Sequence, residues 1–127
     1  MWESYGLKNE DFLWTCIPFM GGISGHQQAP CGAVSASAVC LALRHRCSLE
    51  EKDEAKKART LIRQNSAEIV RRFTEEFGTI ICRDLLSIDF SKPGEYARFY
   101  ETSAWKGRCD TFVQFIIEKL YQMEDGG

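Results

Sequence analysis

The stretch from Ser48 to Phe77 limits the fold of this chain more than any other. Ala55, Ala58, Ile62, Ile69, Phe73 and Phe77 recur at roughly three- and four-residue steps, the period of one helix face. The charged face carries Glu51, Lys52, Lys56, Arg59, Arg63, Arg71 and Glu75. Ser48 and Glu51 form an S-x-x-E capping box, and Gly78 stands where a helix C-terminal glycine would. A helix from Leu49 to Phe77 would be on the order of 40 Å long. That exceeds the usual globular length, so a kink is expected near Asn65–Ser66. Strand-like alternation is nearly absent and proline is scarce. The expectation is an all-α fold, a single-domain compact bundle of about five helices spanning residues 1–127.

The other helices are shorter. One is predicted from about Asn9 to Cys16, with Phe12 and Leu13 inward and Pro18 ending it. A second runs from about Cys31 to Arg46. Its face of Gly32, Ala33, Ser35, Ala36, Ser37, Ala38 and Ala42 is all small, which suits a central helix packed on several sides. Thr79 caps a short helix, "IICRDLLS", that stops before Asp89. The segment "FSKPGEYARFYETSAWKGR" reads as a loop with one helical turn around Tyr96 to Tyr100. The last helix runs from about Cys109 to Met123, with Phe112, Phe115, Ile116 and Leu120 on one stripe.

Charge and hydropathy exclude some classes of partner. The net charge is −2 with both signs interspersed, so nothing favours nucleic acid. The longest apolar runs, "VQFII" and "CLAL", are far shorter than the roughly 20 residues that span a bilayer, so no membrane partner is expected. The N-terminus has no basic segment followed by an apolar one, so it does not read as a signal peptide, and the expected compartment is the cytoplasm.

Six cysteines are many for such a compartment: Cys16, Cys31, Cys40, Cys47, Cys82 and Cys109. No C-x-x-C occurs, which removes thioredoxin-type, zinc-ribbon and haem-attachment pairs. Any site must therefore draw on distant parts of the chain. Cys40 and Cys47 are seven residues apart, on nearly one face of the predicted second helix and too far apart for a disulfide. They read as packing residues. Cys31, Cys82 and Cys109 each fall in or just before the first turn of a predicted helix. Backbone N–H groups and the helix dipole favour a thiolate there, with a lowered pKa. Arg83 and Arg108 add local positive charge. These three are the candidate reactive residues and equally candidate metal ligands; three separate buried thiols are the plainer alternative.

The stretch "GGISGHQQAP" is not a phosphate loop, because no G-K-[ST] follows. Its glycines allow tight turns or a close backbone approach. His26 is either a solvent-exposed loop residue or a base or metal ligand near Cys31. His45 reads as a surface residue or a contact with the dipole at the helix C-terminus.

The segments "PCGAVSASAVCLAL" and "FTEEFGTIICRDLL", followed by a cysteine opening the last helix, resemble a redox-active family named for its C_GCAxxG_C_C cysteine pattern. Cys31-Gly32-Ala33, then Ile81-Cys82-Arg83 with Leu85 and Leu86, then Cys109, correspond to its motifs. "FMGGISG" is similar to its glycine-rich loop. The resemblance runs from about Tyr5 to Met123. The family's CGAxxG glycine is Ala36 here. The family's earlier cysteine, on an additional N-terminal helix, has no matching motif: the expectation is that this helix is lacking, with Cys16 serving in its place or the site holding three cysteines only.

The resemblance implies a homodimeric redox protein with an unknown redox partner. More distantly, the chain looks like the split-Soret cytochrome c domain, which implies that the cysteine set can hold an iron–sulfur cluster. Their haem-attachment motif is missing, so no haem is carried over. The leading expectation is thiol/disulfide chemistry at Cys31, Cys82 and Cys109, with the Gly21–Gly25 loop shaping access. The alternatives are an iron–sulfur or other metal-binding electron carrier, with Cys16 or His26 as fourth ligand, and a non-catalytic helical interaction module. Whether the chain is an enzyme stays open.

Overall fold

The computed structural model describes residues 6–125. Six α-helices are present among them: α1 (Asp11–Trp14), α2 (Gly32–His45), α3 (Lys52–Phe77), α4 (Cys82–Leu86), α5 (Glu95–Glu101) and α6 (Trp105–Asp125). The only extended pairing among the described residues is an isolated antiparallel bridge between Pro30 and Ile81. The fold is all-α as expected, with one helix more than the pattern implies. The extra one is α5, at the place where the sequence shows one helical turn around Tyr96 to Tyr100; it runs to seven residues, with Gly94 at φ 79° just before it.

The long amphipathic helix is present with its C-terminal stop. Gly78 takes the left-handed conformation at φ 87°, and its N–H bonds to the Thr74 carbonyl. The N-terminal capping box does not form. Ser48 Oγ instead accepts the Glu50 N–H at 3.2 Å, closing a turn, and the helix begins at Lys52 without a side-chain cap. α3 runs unbroken through Asn65–Ser66, the place of the expected kink, and contains neither proline nor glycine.

At the N-terminal end α1 is only four residues long, and Leu13 is exposed rather than inward. Pro18 lies inside a 3-10 turn, Ile17–Phe19, rather than ending a helix. The last helix starts at Trp105, four residues earlier than the pattern suggests. His45 is the last residue of α2 and is half-buried, its Nε2 enclosed without a hydrogen-bond partner.

The core sits where α2, α3 and α6 meet. Leu41, Ile69, Phe73, Phe112, Ile116 and Leu120 are buried there. Phe73 and Phe77 of α3 pack edge-on or tilted against Phe112 and Phe115 of α6, with ring centroids 4.9–5.9 Å apart. Such pairings add to the area they bury. Arg44, near the end of α2, donates to the Leu120 carbonyl at 2.9 Å and fastens α2 to α6. No described helix is long and apolar enough to cross a membrane.

Phe73 is fully buried at the centre of the aromatic group. Phe73→Ala is therefore expected to cost about 3–5 kcal/mol of unfolding free energy, measured by urea denaturation. A loss well under 1 kcal/mol would contradict this packing.

Candidate thiol site

The small face of α2 does not only admit neighbouring backbones. Gly32, Ala33, Ala36 and Ser37 form one wall of a cavity of about 790 Å³. Five of the six cysteines line it: Cys16, Cys31, Cys40, Cys82 and Cys109. All six thiols are free, with no disulfide formed.

A strained loop positions Cys82. Five consecutive residues, Gly21, Gly22, Ile23, Ser24 and Gly25, have positive φ between 51° and 82°, and Gln27 follows at 63°. For Ile23, Ser24 and Gln27 this conformation is costly, of order 1–2 kcal/mol each. Backbone bonds hold it: Ser24 N–H to the Pro18 carbonyl (2.9 Å), Gly25 N–H to Met20 (3.1 Å) and Gln27 N–H to Gly21 (2.9 Å). The loop is then stitched to α4 and its approach. Cys31 N–H donates to the Ile80 carbonyl (2.7 Å), Cys82 N–H to Ala29 (3.2 Å) and Arg83 N–H to Gln27 (3.1 Å).

Gln27 completes the link. It is fully buried. Its Oε1 accepts the Phe90 N–H at 2.7 Å, which turns its Nε2 toward Cys82 Sγ, 3.8 Å away. Gly22 is just as constrained. A Cβ there would sit 2.7 Å from the Ala29 oxygen and 2.9 Å from both Cys82 Cβ and Gln27 Cα.

The three candidate cysteines act on one another. Cys31 raises the pKa of Cys82, and both raise that of Cys109. The expected lowering of these pKa values does not occur, and the reason differs at each position. At Cys31, burial is the largest effect and outweighs the Ala33 and Val34 backbone groups that favour the thiolate. At Cys82, burial again dominates over the Gln27 hydrogen bond. There the N–H groups of Cys82 and Arg83 at the start of α4 are already spent on Ala29 and Gln27. Cys109 is the fifth residue of α6, beyond its first turn. Burial first, then Cys31 and Cys82, push it up to about 11. All three are neutral thiols near pH 7.

The remaining candidates separate. Cys16 is half-buried at the start of the 3-10 turn and acts on Cys40, whose pKa burial raises most. Cys40 shares a wall with Ala33, Ala36 and Ser37, and that helical spacing is the signal that could have placed it in the cavity. Cys47 is not a packing residue: α2 ends at His45, and Cys47 is exposed beyond it. His26 is exposed and does not line the cysteine cavity. It lines a second hollow of about 400 Å³ with Ser24, Gln28, Arg83 and Ser91. Among the described residues, no three His, Cys, Asp or Glu side chains are arranged to hold a metal ion.

A helical bundle that gathers distant free cysteines on one apolar cavity belongs to the class of thiol-bearing all-α proteins. The chain is a member of the family described as "Putative redox-active protein (C_GCAxxG_C_C)", whose model matches residues 1–123. No curated protein and no solved structure matches it.

Gly22→Ala introduces both the clash and a left-handed φ of 62° for a side-chain-bearing residue. It is expected to lower stability by about 1 kcal/mol or more and to expose Cys82 to alkylation by iodoacetamide. Unchanged stability and an unchanged Cys82 labelling rate would contradict the described loop.

Proposed function

We propose that this chain is a redox protein that cycles two of the thiols Cys31, Cys82 and Cys109 between dithiol and disulfide. The observation that carries this reading is that the three thiols line one cavity, near enough for Cys31 to bear on Cys82 and for both to bear on Cys109. Membership of a redox-active family supports it. Two S–H bonds break and one S–S bond forms, and two electrons and two protons pass to an acceptor. Dithiol and disulfide are both neutral. An apolar wall that penalises thiolates therefore tolerates either end state. The same burial keeps the resting thiols protonated and unreactive toward chance electrophiles, since the thiolate is the nucleophile. Six free thiols suit a reducing compartment such as the cytoplasm.

Gln27 has a positioning part in this reading. Its amide holds the Cys82 sulfur through Nε2 while Phe90 fixes the amide from the other side.

The test is oxidation of the reduced protein with diamide under anaerobic conditions, followed by peptide mapping. The expected result is loss of two thiols and one linked pair drawn from Cys31, Cys82 and Cys109. Six thiols left free, or a first bridge that uses the exposed Cys47, would overturn the proposal. So would anaerobic isolation with stoichiometric iron and sulfide that Cys31→Ser, Cys82→Ser or Cys109→Ser abolishes.

A further inference from the structure

The cysteine cavity is far larger than a disulfide needs. At about 790 Å³ it falls within the range of small-molecule sites, roughly 300–1,000 Å³. Among the described residues, none of its lining side chains is Asp, Glu, Lys, Arg or His. A ligand carrying phosphate, carboxylate or ammonium would have to surrender its hydration against that lining. Arg44, Arg83 and Arg108 act on cavity thiols but do not line the cavity, so no described lining side chain meets its charge, which is costly. The described lining thereby disfavours dinucleotides and charged peptides in the interior and favours a neutral ligand.

One side of the cavity is aromatic. Phe90, Tyr96, Phe99, Tyr100, Trp105 and Phe112 all line it. Tyr96 and Tyr100 stack with centroids 6.4 Å apart at 26°, and Tyr100 and Trp105 at 6.5 Å and 25°. Three rings in near-parallel sequence present a wall suited to a flat ring. At the mouth, Val113 and Ile117 of α6 are partly exposed, so the apolar lining continues to the surface.

Resting on the dithiol reading above, we propose that the cavity takes a neutral quinone, which is the electron acceptor of the thiol pair. The thiols are buried and protonated, so each electron they give up leaves with a proton. A quinone accepts that same complement. Two S–H bonds break and one S–S bond forms. The quinone ring takes two electrons, each carbonyl oxygen takes one proton, and a hydroquinone leaves. No charged species remains in the cavity before or after the transfer.

The experiment uses the full chain, reduced and freed of reductant under anaerobic conditions. The probe is duroquinone, whose ring carbons are all substituted so that direct thiol addition is blocked. The expected result is one quinone reduced per chain with one disulfide formed, at a rate that saturates with quinone concentration. Ile117→Lys and Val113→Lys each place an ammonium at the mouth of the cavity. They sit at partly exposed positions, and circular dichroism checks that each variant folds. Both are expected to slow the reaction by about tenfold or more. Diamide on the wild type separates the two claims. If diamide forms the disulfide but duroquinone reacts without saturation and equally fast in both lysine variants, the quinone inference fails while the dithiol reading stands. If diamide forms no bridge among Cys31, Cys82 and Cys109, both fail.

Discussion

The buried amide of Gln27 is the interaction on which the site depends. It bonds at once to the segment after α4, through Phe90, and to a cysteine of the cavity, through Cys82. Its backbone carbonyl accepts the Arg83 N–H, and its own N–H returns to Gly21. For Gln27 to reach this position, the chain before it must wind through five left-handed residues, and Gly22 must pass closer to Cys82 than any side chain would allow. Left-handed backbone at Ile23 and Ser24 is strain that the core of α2, α3 and α6 has to offset. Strain of this kind concentrates where geometry matters, and here it surrounds a thiol.

The electrostatics of the cavity follow from competition between burial and hydrogen bonding. A helix start favours a thiolate through its unpaired N–H groups. At Cys31 that help is present but smaller than the desolvation opposing it. At Cys82 the relevant N–H groups are occupied by the loop, and at Cys109 they are a turn away. Each thiol then adds to its neighbours' difficulty, because ionising one discourages the next. The outcome is a set of protonated thiols in a chamber whose described lining carries no charged side chain. That setting suits chemistry in which protons and electrons move together and suits isolated thiolate attack poorly.

Much of this was legible before any coordinates. The three- and four-residue rhythm from Ala55 to Phe77 defines α3 and its buried face, because a helix that long must keep one stripe apolar. Cys31, Cys82 and Cys109, which the family motifs pick out, do line one cavity, together with Cys16 and Cys40. Helix-start placement holds for Cys31 and Cys82 but not for Cys109, because α6 begins four residues earlier than its pattern suggests. The physical reason attached to that placement was wrong: local position says nothing about burial, and burial decides the pKa. Gln27 was invisible for a related cause. A glutamine in a polar, glycine-rich loop looks solvated, and only the left-handed path of the backbone turns it inward. Cys40 packs against the core as its helical phase suggests. What was not legible is that the same face also lines the cavity, and that Cys47, beyond the end of α2 at His45, shares no helix face with it. The Ser48–Glu51 box failed because Ser48 spends its hydroxyl on a turn one residue too early.

The central claim is that Cys31, Cys82 and Cys109 form one electrostatically coupled set in an environment that disfavours charge. An alkaline titration of the protein carrying ¹³C at the cysteine β-carbons, followed by NMR, addresses it directly. The account predicts that Cys109 titrates near about 11 in the wild type, and that it moves down in Cys82→Ser while staying above the ordinary thiol value of about 8.5. A Cys109 that titrates at that ordinary value, and is indifferent to the loss of Cys82, would contradict it.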